Sequence, residues 1–107
     1  MARLYLIITC LVLVAGTASA QNRPSDPEAG RVLALRVCAQ CHVVAKQQTQ
    51  PTIDGVRPFA TIAGNPAVTE QSLQAFLQSP HPPMPQISLT TREIDDVVSY
   101  ILSLRSR

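Results

Sequence analysis

The sequence lacks tryptophan, has few other aromatic residues and carries little net charge. Its 107 residues include two Phe and two Tyr. Nine Lys and Arg against seven Asp and Glu leave a formal charge of +2, a bias too weak to indicate a nucleic-acid partner. No apolar run reaches the roughly 18 to 20 residues of a membrane span. The length predicts a single domain rather than a multidomain enzyme.

Apolar residues are also scarce once the first twenty residues are set aside. Residues 1–20 contain 15 hydrophobic residues, whereas the other 87 contain 34, or 39%. All nine prolines lie among those 87 residues. Because small chains bury a smaller share of their surface, this composition predicts a domain that needs an additional stabilising element, such as a metal, a disulfide or a cofactor.

The first twenty residues have the pattern of a secretory signal peptide. Arg3 supplies positive charge, residues 4–15 are apolar apart from one threonine, and small residues end at Ala18-Ser19-Ala20. We predict cleavage after Ala20, which leaves residues 21–107 as the mature domain in the periplasm. An uncleaved membrane anchor is the alternative, but twelve apolar residues are short for one.

The mature sequence predicts an all-α fold whose first half contains one helix and a long loop. Residues 21–27 predict a loose arm, and Ser25 with Glu28 forms a capping box for a helix from about 26 to 40. We expect the core-facing side of that helix to contain Ala29, Val32, Leu33 and Val37. Prolines and glycines throughout residues 43–68 predict loops and turns.

Two further helices are predicted in the second half. Thr69 can cap a short helix that ends at Pro80, and residues 80–85 cannot be helical because four of them are prolines. Thr90 and Glu93 form a capping box for the last helix. Its apolar residues fall on one stripe, which contains Ile94, Val97, Val98, Ile101 and Leu102. Loops this long in so small a domain indicate that something inside holds them.

The segment Cys38-Ala39-Gln40-Cys41-His42 is a C-x-x-C-H motif, the attachment site of c-type haem. Cys38 and Cys41 are predicted to bind the porphyrin covalently, and His42 is placed to ligate its iron. A thiol redox pair would be expected in a βαβ setting, and a zinc site would need further Cys or His ligands. A structural disulfide between the two cysteines remains an alternative in an oxidising compartment.

Six-coordinate iron needs a second axial ligand, and two candidates follow the motif. They are His81 and Met84. Met84 lies between Pro83 and Pro85, which stiffen the loop and preorganise the thioether. We predict Met84 as the distal ligand, which would raise the reduction potential, and place His81 near the haem edge or at the surface. A core position for Met84 is the alternative.

The haem motif, the proline-rich methionine loop and the capped last helix together resemble a small bacterial class I cytochrome c. The resemblance covers nearly all of residues 26–105. It implies a cytochrome c fold, with three main helices and long loops around one covalently attached haem c and its iron. It also implies that the first and last helices cross near the haem, where Gly30 would contact Tyr100. A glycine that is merely tolerated in the helix is the alternative.

The charges depart from those of the best-known members of that family. Such proteins often carry a ring of lysines for acidic partners, whereas Lys46 is the only lysine here and the arginines are dispersed. Strong electrostatic steering is therefore not expected. No tryptophan is present to meet a haem propionate. Arg57 is a candidate for that role. The alternative, of equal weight, is that the Arg57 side chain is solvated in a loop and contacts no propionate.

These features predict a periplasmic one-electron carrier with His/Met-ligated haem and no catalytic residue. Its partners would be donor and acceptor redox proteins, including a membrane or periplasmic oxidoreductase, with no nucleic acid and no membrane span after signal cleavage. A cytochrome subunit of a periplasmic dehydrogenase is a variant of this hypothesis. The alternative from another class is a haem enzyme or gas-binding sensor, peroxidase-like, from which Met84 detaches.

Overall fold

The computed structural model describes residues 23–48, 53–79 and 82–106. The predicted signal peptide and His81 lie outside these ranges, so the structure tests neither. No helix in the described ranges is long and apolar enough to span a membrane.

The fold contains helices and no β-strand among the described residues. The helices are α1 (Pro27–Val37), α2 (Phe59–Gly64), α3 (Glu70–Gln78) and α4 (Thr91–Ser103), and a 3₁₀ turn (Cys38–Gln40) directly follows α1. The all-α prediction is confirmed, and α1, α3 and α4 are the three main helices that the sequence predicts. The short helix α2 lies within residues 43–68, which the sequence assigned to loops.

The N-cap of helix α1 lies one residue later in the sequence than predicted. Its N-cap is Asp26, whose Oδ1 accepts hydrogen bonds from the backbone N–H of Glu28 at 2.9 Å and of Ala29 at 3.2 Å. Pro27 occupies the first helical position, where its missing N–H costs nothing. The Glu28 carboxylate pairs with Arg31 at 2.7 Å rather than returning to Ser25, so the predicted cap at Ser25 is wrong.

Helices α3 and α4 begin at the caps that the sequence predicts. The Thr69 side chain accepts from the backbone N–H of Ser72, whose hydroxyl in turn accepts from the Thr69 N–H. Thr90 and Glu93 form the reciprocal pair at α4, with the Thr90 N–H 2.8 Å from a Glu93 carboxylate oxygen. The predicted α4 stripe is buried apart from Leu102, which is half-buried.

The crossing of α1 and α4 forms the largest interface between helices. Gly30 is buried there, and a Cβ at this position would collide with the Asp96 carbonyl and lie 2.9 Å from the Val97 nitrogen. Glycine is therefore required for the close approach, as the resemblance implies. The nearest atoms are the α4 backbone rather than Tyr100, one turn later. On the predicted core-facing side of α1, Leu33 is buried and Val37 half-buried as expected, whereas Ala29 is exposed and Val32 is 51% exposed, because Ala34 faces the core instead.

Side chains of α4 also hold the segment before α1. Asp96, which is only 8% exposed, accepts from the Asp26 N–H at 2.7 Å. Arg92 donates to the carbonyls of Arg23 at 2.6 Å and Pro24 at 2.8 Å, and pairs with Asp96 at 3.4 Å. The described part of the predicted loose arm is therefore tied to the domain.

Candidate functional site

The C-x-x-C-H segment follows α1 as a tight turn. The Cys38 carbonyl accepts from the N–H of Cys41 at 3.1 Å and from the N–H of His42 at 2.9 Å. This turn keeps both sulfurs and the imidazole on one short stretch of chain, held at its start by a helix that is packed in the core. No disulfide joins these two cysteines, of which Cys38 is buried and Cys41 half-buried.

The environment of Cys38 disfavours thiol redox chemistry. Burial, with a further contribution from the neighbouring Cys41, raises the pKa of the Cys38 thiol to about 11. A reactive thiol needs a lowered pKa, because the thiolate is the nucleophile, whereas buried thiols of this kind are inert. The raised pKa of the Cys38 thiol therefore disfavours a thiol redox pair.

The His42 ring is oriented by a backbone carbonyl from across the site. Its Nδ1 lies 2.7 Å from the carbonyl oxygen of Arg57. That oxygen can only accept, so Nδ1 carries the proton and the Nε2 lone pair is left to bind a metal. In metal sites, a hydrogen-bond acceptor for the ring nitrogen that does not bind the metal fixes both the tautomer and the ring orientation of the ligating histidine. The residues present thus fit a haem whose iron is ligated by His42.

Helix α2 supports the same histidine. The Phe59 N–H donates to the Val43 carbonyl at 2.9 Å, and the Phe59 ring packs against the His42 ring with centroids 5.3 Å apart. Phe59 is buried and also lies against Tyr100, at 6.4 Å between ring centroids. One sequence signal could have indicated this helix, namely the apolar spacing of Phe59, Ile62 and Ala63 after Pro58.

Helix α4 reaches the site through Tyr100. This residue is 6% exposed, and its hydroxyl donates to the Val44 carbonyl at 2.6 Å. Burial raises the pKa of the Tyr100 phenol, which keeps the hydroxyl protonated as a donor. The last helix is therefore bonded directly to the segment that follows His42.

One contact at the site involves a residue that the sequence analysis missed. The side-chain amide of Gln48 bonds to three backbone groups of residues 39–44, including the carbonyl of His42 at 2.7 Å. Gln48 follows another glutamine, and nothing in the sequence distinguishes the two.

Met84 lies on a separate surface cleft of about 320 Å³. The cleft is formed by the end of α3, the segment after Met84 and the start of α4, and its apolar lining includes Leu77, Ile87, Leu89 and Ile94. Cys38, Cys41 and His42 are not among its lining residues. Ligation of iron by Met84 therefore stays a prediction. The described part of the Pro80–Pro85 segment is not helical, as expected.

The described arginines differ in the contacts that they make. Arg23, Arg31 and Arg92 have acidic partners, and Arg105 donates to the carbonyls of Ala63 and Val68. Arg57 contributes its carbonyl to His42 while its side chain is exposed, so its predicted propionate contact stays a prediction. Across the described ranges, no three His, Cys, Asp or Glu residues lie together as a metal site built from protein ligands alone would need.

Comparison with known proteins agrees with this site. The family model described as "Cytochrome c" matches residues 27–105. The chain is also 41% identical over 102 residues to "Cytochrome c-552" of Bradyrhizobium diazoefficiens, an alignment that covers 95% of this chain and 97% of the relative. No solved structure gives a significant match. The chain therefore belongs to the cytochrome c family, binds haem c covalently with its iron, and transfers electrons through that haem.

Proposed function

We propose that the protein is a periplasmic one-electron carrier whose haem is attached through Cys38 and Cys41 and ligated by His42 and Met84. The observation that carries the proposal is the hydrogen bond from His42 Nδ1 to the Arg57 carbonyl at 2.7 Å. It leaves Nε2 as the ligand atom, in a segment held by α1, α2 and α4. The haem iron supplies the Fe(III)/Fe(II) couple when the group is bound.

The case for Met84 as the distal ligand comes from its loop and from the composition. Flanking prolines restrict the backbone on both sides of Met84, so little conformational entropy would be lost when the sulfur binds iron. The sequence contains only one other methionine, Met1, which the predicted signal cleavage removes. A thioether ligand in the mature protein would therefore come from Met84.

The charge distribution supports redox partners whose association does not depend on strong electrostatic steering. The sequence has one lysine, and several of its arginines are used in contacts within the domain. A donor or acceptor oxidoreductase would then dock mainly through apolar and polar contacts around the haem edge. A lasting complex with a periplasmic dehydrogenase fits the same surface, and association that changes little with salt would support it.

The test is the iron coordination of the purified holoprotein and of two single variants. We expect six-coordinate low-spin iron in the native protein, with no carbon monoxide binding at neutral pH. Met84→Ala should open the ferrous iron to carbon monoxide, and His81→Ala should leave the visible spectrum nearly unchanged. If the native iron is high-spin or binds carbon monoxide, the carrier function is wrong and the haem enzyme or gas sensor is favoured. If His81→Ala opens the iron and Met84→Ala does not, the distal ligand is His81.

Export is tested separately on protein from the native cell. We expect the mature chain to be recovered from the periplasmic fraction and to begin at Gln21. Recovery of the intact chain with Met1 in the membrane fraction would contradict the proposed location.

A further inference from the structure

Gln48 binds the haem-attachment segment at three points. Its Nε2 donates to the carbonyls of Ala39 at 3.2 Å and His42 at 2.7 Å, and its Oε1 accepts from the Val44 N–H at 3.0 Å. Both amide protons and the amide oxygen are therefore used. The side chain spans the attachment segment from inside the C-x-x-C-H motif to two residues beyond His42.

The identity of these partners fixes the orientation of the amide. Carbonyl oxygens can only accept and a backbone N–H can only donate, so Nε2 must face Ala39 and His42 while Oε1 faces Val44. A carboxylate of the same shape would keep the bond to Val44 and place its second oxygen against two carbonyl oxygens. An apolar side chain of similar length would lose all three bonds.

The backbone of Gln48 is itself held in place. Its N–H donates to the Ala45 carbonyl at 3.1 Å, which closes a turn over residues 45–48. The side chain is half-buried and lies on a surface cleft of about 560 Å³ rather than in the core. Substitutions at this position can therefore change hydrogen bonding with little effect on core packing.

Hydrogen bonds hold His42 at both its ring and its backbone. The Arg57 carbonyl holds Nδ1 of its ring, and Gln48 holds its backbone carbonyl as well as the N–H of Val44, two residues later. The ring bond fixes rotation about the side chain, and the Gln48 bonds fix the backbone from which the side chain starts. Together they determine where Nε2 lies.

We propose that Gln48 is a positioning residue for the haem iron, acting through His42. This inference rests on the proposed ligation of iron by His42. In a cytochrome, an imidazole whose backbone is free to shift takes more than one orientation at the iron. Loss of the Gln48 amide should therefore change the ligand field and the reduction potential, beyond any change in stability.

The experiment compares Gln48→Glu and Gln48→Met with the same two substitutions at Gln47, which is exposed and adjacent. Each holoprotein is measured by electron paramagnetic resonance of the ferric form, by potentiometric titration and by thermal melting. We expect shifted or doubled low-spin signals and a shifted midpoint potential in both Gln48 variants. Both Gln47 variants should match the native protein. Amide exchange of Val44 should rise about tenfold in Gln48→Met while that of Phe59 changes little, since one bond to Val44 is lost.

Native spectra and potential in both Gln48 variants, despite faster Val44 exchange in Gln48→Met, would overturn the inference while leaving the proposed ligation intact. If the native protein itself lacks a histidine ligand, the proposed function fails and the inference fails with it. If neither Gln48 variant accumulates as holoprotein, Gln48→Asn, whose side chain is one methylene too short to reach all three partners, is measured by the same methods. An unchanged spectrum and potential in that variant would also overturn the inference.

Discussion

The crossing of α1 and α4 allows a sharp test of the packing that holds the site together. We predict that Gly30→Ala destabilises the holoprotein, because the added methyl group would collide with the Asp96 carbonyl and lie 2.9 Å from the Val97 nitrogen. Both are backbone atoms of a helix, so the collision cannot be relieved by turning a side chain. The two helices must move apart instead.

The magnitude follows from two opposing effects. Alanine in place of glycine within a helix stabilises it by about 0.5 to 1 kcal/mol, whereas one methyl group too many in a packed interface costs about 1 to 3 kcal/mol. Because the obstacle is backbone, we expect the upper part of that cost and a net loss of about 1 to 2 kcal/mol. For a domain of this size, that loss lowers the Tm by roughly 4 to 16 °C.

Gly64→Ala is the matched control for this substitution. Gly64 also lies in a helix, and a Cβ there would have no neighbour within 4 Å. The control should therefore leave the Tm unchanged or raise it slightly, by the helix effect alone. Thermal melting of both holoproteins, followed by far-UV circular dichroism, provides the comparison. A Gly30→Ala protein as stable as the native one would refute the close approach of α1 and α4.

Three further substitutions test other parts of the structure. Tyr100→Phe leaves the Val44 carbonyl without its 2.6 Å bond, and the lost bond should lower stability in denaturant unfolding by about 1 to 3 kcal/mol; no loss would show that water replaces the hydroxyl. Backbone N–H bonds from Ala29 and Glu28 lower the pKa of Asp26 below its ordinary value of 3.8, so its stabilisation is complete above that pH and is lost as the pH falls through the folded-state pKa. The Tm difference between the native protein and Asp26→Asn should therefore shrink as the pH is lowered through this range, and a constant difference would contradict the assignment of Asp26 as the cap. Cys38→Ala combined with Cys41→Ala should give an unfolded or degraded chain, because the apolar surface of the porphyrin is needed to complete so small a core; a helical apoprotein with a cooperative melt would contradict this.

Helix α4 and the attachment motif could be predicted from the sequence because their signals are local. The capping box of Thr90 and Glu93 and the apolar stripe of the thirteen residues of α4 are both recognised without knowing the rest of the fold. The C-x-x-C-H motif is equally contiguous. The sequence predicts the cap of α1 one residue early because Ser25 and Asp26 are both good N-caps. Pro27, which prefers the first helical position, favours Asp26.

The features that the sequence did not predict depend on contacts between distant residues. Helix α2 has six residues and is too short to be stable alone, and Phe59 is held by contacts with Val43, His42 and Tyr100. Gln48 differs from Gln47 only in what the fold brings near its amide. Val32 is exposed because glycine at position 30 lets another face of α1 approach α4. Local patterns contain no information about such contacts.

The reduction potential of Met84→His, measured beside that of the native holoprotein, tests the proposed axial pair most directly. The substitution keeps a ligand at the iron but replaces a soft thioether with an imidazole, which favours ferric iron. The account predicts full haem attachment, since Cys38, Cys41 and His42 are unchanged, and a potential lower by well over ~60 mV, the equivalent of tenfold in a one-electron equilibrium. An unchanged potential in a fully loaded Met84→His protein would contradict ligation by Met84 and with it the proposed His/Met carrier.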